Sequence, residues 1–235
     1  MPKVLEEIIF AEKSNKRLLA VLIDPEKFDS SNAQNFFRKI PFLTTHIFIG
    51  GSTATPEELE NCTKAIKAVT SLPVVLFPGD HQQISAKADA LLFLSLLSGR
   101  NPDYLIEQQV RSVPLLRESG LEIIPTAYLL VDGGKECAVQ RASRTTPLSQ
   151  EDVQLIVDTA LAGEYSGKQL IYLEAGSGAE IPVGSEIISA VKEAVQIPVI
   201  VGGGIRNRCQ FEAAYEAGAN MVVIGTAFEK GDFFL

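Results

Sequence analysis

The stretch LIYLEAGSGA, residues 170–179, runs from apolar residues straight into a carboxylate, Glu174, and then into Gly176-Ser177-Gly178. Alternation along a strand sets Leu170, Tyr172 and Glu174 on one face, with Ile171 and Leu173 on the other. A carboxylate at the end of a buried face is partly desolvated. Desolvation raises its pKa and suits it to take a proton from a hydroxyl. The plainer alternative is a Glu that only accepts hydrogen bonds from nearby amides. A second acid, Asp24, ends the apolar run in VLIDPEK. Such a carboxylate suits Mg²⁺, which usually takes one or two carboxylates plus substrate phosphate oxygens; capping of the following turn is the competing reading. Ser52 or Thr53 in IGGST offers either a hydroxyl or a helix N-cap.

Glycine gathers at three further places: Gly176 to Gly178, Gly202-Gly203-Gly204 and Gly225-Thr226. Without a Cβ, backbone amides can approach anionic oxygens closely. Any one of these loops could be a tight turn, but three at successive strand ends point to a phosphate cradle. His46 and His81 are the only histidines and have no partner at metal spacing. His81, after the third strand, either sits in a solvated loop, the commoner case, or reaches the active face, and Tyr104 and Pro125 either line a pocket or pack in the core.

These residues need elements to position them. Nearly continuous apolar runs recur at 18–24, 46–51, 73–78, 90–95, 122–128, 170–176, 198–204 and 221–227. Strands buried on both faces have this pattern. Helical patterns at 56–71, 185–196 and 207–219 separate several of them, and Thr55 with Pro56 makes a start signal for the first. Alternating β and α units with eight strands predict an α/β fold, a (β/α)₈ barrel in one domain over residues 1–235. Two connections are irregular. GDHQQISAKADA leaves room for a short helix at most after the third strand. About forty residues separate the fifth and sixth strands; a helix is expected to begin near Ser149, and the 129–148 insertion is a candidate lid.

Composition narrows the function classes. Of 235 residues, 46% are hydrophobic and 21% charged, as in an ordinary globular protein. Cys62, Cys137 and Cys209 show no zinc or disulfide spacing, so three reduced thiols in a cytoplasmic protein are expected. A net charge of −8 argues against a general nucleic-acid surface. The N-terminal MPKVLEEIIFAEKSNKR has the pattern of an amphipathic helix without a signal-peptide core. The run ALLFLSLL is far short of the roughly 20 residues that span a bilayer.

The chain resembles the geranylgeranylglyceryl phosphate synthase family of barrel prenyltransferases. The match is carried by Asp24 to Lys27, Ile49 to Thr53, Phe77 to Gly79, Ser95 to Pro102, Tyr172 to Ala179, Val201 to Arg206 and Ile224 to Ala227. The YLEAGSGA form is similar to the longer-chain subgroup rather than the YxEYSG form of the bacterial heptaprenyl enzymes. The resemblance implies a modified TIM barrel with the helix after the third strand reduced. It implies Mg²⁺-dependent transfer of a geranylgeranyl group from its diphosphate to the sn-3 hydroxyl of sn-glycerol 1-phosphate, in ether lipid synthesis. Tyr172, Leu173, Glu174, Ala175, Gly176, Ser177, Gly178, Gly203, Gly204, Gly225 and Thr226 would then bind the glycerol phosphate. Asp24 and Ser52 would hold Mg²⁺, and Glu174 would orient and deprotonate the hydroxyl. Leu94, Leu96 and Tyr104 are expected to wall a prenyl groove. The family also implies a homo-oligomer, and a lipid product allows transient membrane contact.

Three alternatives remain at this level: a phosphometabolite-binding barrel that has lost catalysis, against which Asp24 and Glu174 argue; the same reaction with another tail such as heptaprenyl; or a phosphate-binding isomerase or aldolase. The last commonly needs paired carboxylates or a Schiff-base lysine, and neither Lys168 nor Lys192 ends a strand.

Overall fold

A computed structural model describes residues 3–229. The chain opens with α1 (Val4–Lys13), which buries Val4, Ile8 and Ala11. Met1 and Pro2 of the expected amphipathic helix lie outside the described residues. Its first amides have no side-chain cap of their own. Instead Val4 N donates to Glu122 Oε2 at 2.6 Å, so a carboxylate 118 residues away satisfies a helix end. This helix packs with the interior residues of the ring of strands and closes its N-terminal end.

Eight strands follow: β1 (Leu18–Ile23), β2 (His46–Ile49), β3 (Val74–Leu76), β4 (Ala90–Leu96), β5 (Glu122–Leu130), β6 (Leu170–Glu174), β7 (Val199–Gly202) and β8 (Met221–Ile224). Each pairs in parallel with the next, and β8 pairs with β1 from Leu18↔Met221 onward, closing the barrel. The fold is the expected (β/α)₈ barrel. Alternation works as the chemistry requires. Leu170 and Tyr172 fill the interior, whereas Ile171 and Leu173 pack outward with the helices.

The helices are α2 (Ala33–Phe37), α3 (Pro56–Lys67), α4 (Gln108–Ser119), α5 (Ala138–Ser143), α6 (Val153–Tyr165), α7 (Ser185–Ala194), α8 (Arg208–Glu216) and α9 (Thr226–Glu229). Thr55 caps α3 in a reciprocal box with Glu58, and Pro56 stands in its first turn. That cap removes Ser52 and Thr53 as N-cap candidates. No helix forms over residues 77–89 between β3 and β4, in keeping with the short connection. A turn of π-helix, Asp103–Glu107, leads into α4.

One boundary differs from expectation. The helix after the long connection starts at Val153, capped by Asp152, whose side chain accepts from Leu155 N. Ser149 is spent earlier: its hydroxyl accepts from Glu151 N and its carbonyl from Asp152 N, forming a separate turn. No helix among the described residues is long and apolar enough to cross a membrane.

Candidate active site

The C-terminal ends of the strands surround a cavity of about 520 Å³. Its floor is aromatic. Phe77 stacks on Tyr172 with ring centroids 5.1 Å apart and planes 4° apart, and Tyr128 leans on both. Burial pushes both tyrosine hydroxyls well above their ordinary pKa, with the neighbouring Glu174 charge adding to the shift.

Glu174 ends β6 and is buried at the cavity wall. Burial raises its pKa to about 7, against the lowering effects of the Gly176 amide and the Tyr172 hydroxyl. The Gly176 N–H donates a well-formed hydrogen bond to Oε1 at 2.7 Å. The Tyr172 hydroxyl lies near enough to moderate the carboxyl without the geometry of a formed hydrogen bond. Both readings of Glu174 therefore meet in one residue: it accepts an amide, and it is poised to exchange a proton near neutrality. Gly203 makes this possible. Its φ is +83°, and a Cβ there would come within 2.4 Å of Glu174 Oε1.

The three glycine loops converge. Ser177 Oγ and Thr226 Oγ1 stand 3.1 Å apart, joining the loops after β6 and β8. Arg206, in the loop after β7, spans to the β6 loop by donating to the carbonyls of Gly178 (3.2 Å), Ala179 and Glu180 (3.4 Å). Beside this brace, Ser177, Gly178, Gly203 and Gly204 line the cavity. Their N–H groups donate to no protein acceptor among the described residues. Such an array of unpaired donors suits an anion.

Of the eleven residues expected to bind substrate, Tyr172, Glu174, Ser177, Gly178, Gly203, Gly204, Gly225 and Thr226 line the cavity. Leu173 and Ala175 do not: both are buried among the outward-packing residues. Gly176 offers its amide to Glu174 instead of to the cavity.

Across the cavity, Asp24 follows β1. Its Oδ2 pairs with Lys27 Nζ at 2.7 Å and its Oδ1 accepts from Glu26 N at 3.2 Å, so it also caps its own turn. Ser52 lines the same wall, and Thr53 Oγ1 donates to Glu26 Oε2. One carboxylate and one hydroxyl are hard oxygen donors suited to Mg²⁺. Among the described residues no cluster of three His, Cys, Asp or Glu could hold a metal alone. The donor set thus fits a Mg²⁺ completed by substrate oxygens.

Leu94, Leu96 and Tyr104 line an apolar arm of the cavity that reaches Gln109 and Ser112 of α4. Tyr104 is held there by donating to Ala142 O at 3.0 Å. His81 lines the mouth, bonded to Asp80 and Gln108. Pro125 does not line the cavity; Gln169 N donates to its carbonyl. Lys168 and Lys192 are engaged elsewhere, with Ser95 and Glu12, and neither reaches the site. The roles of Phe77 and Tyr128 in the floor and of Arg206 across the loops were missed from sequence. The motifs contained Phe77 and Arg206, but their spacing carried no sign of these contacts.

Residues 12–233 match the model of the PcrB family. The chain belongs to that family. A geranylgeranylglyceryl phosphate synthase of Zunongwangia profunda is 60% identical over 99% of this chain and all of the relative. One of Flavobacterium johnsoniae is 52% identical over 97% of this chain and 95% of its own length. The crystal structure of (S)-3-O-geranylgeranylglyceryl phosphate synthase from Thermoplasma acidophilum, in complex with its substrate sn-glycerol-1-phosphate, superposes with a TM-score of 0.89. It is 36% identical, over 98% of this chain and 93% of that one. Membership makes this chain an enzyme, a prenyltransferase.

Proposed function

We propose that the chain transfers a geranylgeranyl group from geranylgeranyl diphosphate to the sn-3 hydroxyl of sn-glycerol 1-phosphate. One observation carries this reading. A carboxyl with a pKa of about 7 stands between a cradle of unpaired amides and an apolar arm. That juxtaposition suits an acceptor with a phosphate at one end and a hydroxyl at the other, meeting a greasy donor.

The steps follow from the residues. The cradle of Ser177, Gly178, Gly203 and Gly204 binds the acceptor phosphate and fixes the hydroxyl near Glu174. Glu174 takes the hydroxyl proton as the oxygen attacks the first carbon of the prenyl chain. A C–O ether bond forms there, and the bond from that carbon to the diphosphate breaks with its electron pair leaving on the diphosphate. Mg²⁺ held by Asp24 and Ser52 would neutralise charge on that leaving group. The stacked rings of Phe77 and Tyr172 form an apolar floor that keeps water from the allylic carbon.

The same reading places the enzyme in the cytoplasm as one barrel domain, touching membranes transiently to deliver its product. An exposed apolar stripe, Ile106, Val110 and Val113, supports self-association. The test is incubation with labelled sn-glycerol 1-phosphate and prenyl diphosphates of several lengths, with and without Mg²⁺. A Mg²⁺-dependent ether product, greatest with the twenty-carbon donor and absent with the opposite glycerol phosphate enantiomer, is expected. No ether product at any length would sink the proposal.

A further inference from the structure

The cavity wall contains a cation that the reaction scheme has not used. Lys135 lies in the connection between β5 and α6, two residues before Cys137. That connection is stitched to the loop after β6. Gly133 O accepts from Glu180 N at 2.8 Å and from Ile181 N at 3.0 Å. Gln150 Nε2 donates to Asp132 O at 2.7 Å and to Pro182 O at 3.2 Å. The two backbones approach so closely that a Cβ on Gly133 would stand 2.3 Å from Ala175 O. The segment carrying Lys135 is therefore registered against the anion cradle. Within the candidate lid, Asp132 and Gly133 are thus tied to neighbouring backbone and side chains.

Lys135 Nζ stands 3.4 Å from where a Cβ of Gly178 would be, at the edge of the cavity. Among the described residues it has no ion pair or hydrogen-bond partner. The other cations of the cavity are committed. Lys27 pairs with Asp24, and the Arg206 guanidinium faces three carbonyls. A phosphate resting on the Ser177 and Gly178 amides would lie within reach of the Lys135 ammonium, and amide dipoles alone neutralise little of a dianion's charge.

We infer that Lys135 is a substrate-binding residue that clamps the phosphate of the glycerol phosphate acceptor from above the cradle. This rests on the function proposed for the same cavity. The ammonium contributes affinity for the acceptor, and through it selectivity against unphosphorylated glycerol. It lies on the opposite side from Asp24 and Ser52, so the donor diphosphate does not depend on it.

The test is direct binding of inorganic phosphate and of sn-glycerol 1-phosphate to the whole protein by calorimetry, alongside steady-state kinetics. Lys135 is exposed, so Lys135→Met leaves the fold intact, which a melting curve checks. Both anions should bind Lys135→Met about 10- to 100-fold more weakly, as expected for loss of a charge-assisted contact. KM for the acceptor should rise in parallel while KM for the prenyl diphosphate stays within about twofold of the wild type. Lys135→Arg should recover most of the affinity. Equal anion affinity in the wild type and Lys135→Met, or a loss confined to the prenyl diphosphate, overturns the inference. A wild type that binds no phosphate overturns it too. A wild type that binds both anions but makes no ether product sinks the proposed reaction and still decides the role of Lys135.

Discussion

Glu174 Oε2 and the Tyr172 hydroxyl both stand against the Cα of Gly202, and a Cβ at that position would lie 2.7 Å from one and 2.6 Å from the other. The two side chains are neighbours on one face of β6, and the strand beside them has given up its own side chain to admit them. Oε1 is meanwhile tied to the Gly176 amide. One carboxylate oxygen is anchored, and its buried setting makes the group a weak acid.

The first prediction concerns catalysis. Glu174→Gln should keep phosphate binding and lower turnover about 10²-fold or more, the usual scale of general-base catalysis. In the wild type, kcat/KM for the acceptor should fall below an inflection near pH 7, because only the ionised carboxylate accepts the proton. A pH-independent profile between 5.5 and 8.5, or near-normal turnover of the variant, would remove Glu174 from the chemistry.

The second concerns stability, where two buried groups oppose each other. Burial raises Glu174 from 4.5 to about 7, so the folded state holds a proton that the unfolded chain has lost, and stability falls as pH rises through that window. Burial lowers His46 from 6.5 to about 4, with Lys16 adding to the shift. There the unfolded chain binds the proton first, and stability rises with pH between those values. Each effect is worth up to about 3 kcal/mol. Between about pH 4.5 and 6.5 they offset each other. Denaturant unfolding of Glu174→Gln should therefore show stability climbing over this range where the wild type stays nearly flat. At pH 8 the inactive variant should be the more stable of the two. Parallel curves for both proteins would show that Glu174 is not held protonated by burial.

A third prediction tests the backbone around the carboxylate. Gly203→Ala forces a left-handed conformation on a residue with a Cβ, at a cost of about 1 kcal/mol or more, and drives that Cβ into Oε1. Melting should drop by a few degrees and turnover should fall far more than the stability loss explains. Unchanged kinetics would mean that the loop tolerates displacement of the carboxylate.

The fourth addresses the metal. Asp24→Asn removes the carboxylate paired with Lys27. The Mg²⁺ concentration for half-maximal rate should rise about tenfold or more, while affinity for the acceptor phosphate is kept. An unchanged Mg²⁺ titration would assign the metal to other groups.

Much of this was legible in the linear chain because parallel barrel strands are buried on both faces. That burial leaves apolar runs such as PVIVGGG and MVVIGTA with no competing pattern. Glu174 stood out for the same reason, as a charge at the end of LIYLE. Thr55 was visible because a capping box is local. Contacts that depend on closing the ring were not. The stack of Phe77 on Tyr172 joins the loop after β3 to β6, and Arg206 reaches 28 residues back to Gly178. Ser149 misled for a related reason: a hydroxyl at the right distance from a helical pattern does not reveal which turn claims it.

The helix missing between β3 and β4 has a consequence for how such a scaffold diversifies. Without it, Leu91 and Phe93, on the outer side of β4, join Leu92 and Leu94 in bordering the hollow. In the proposed reaction a prenyl chain would lie along a flank of the cylinder instead of down its bore, which α1 closes at the far end. Exchanges on α4 could retune which lipids are made while leaving the acid and its amide tether undisturbed. Product identity and reactivity would thereby become separately heritable traits.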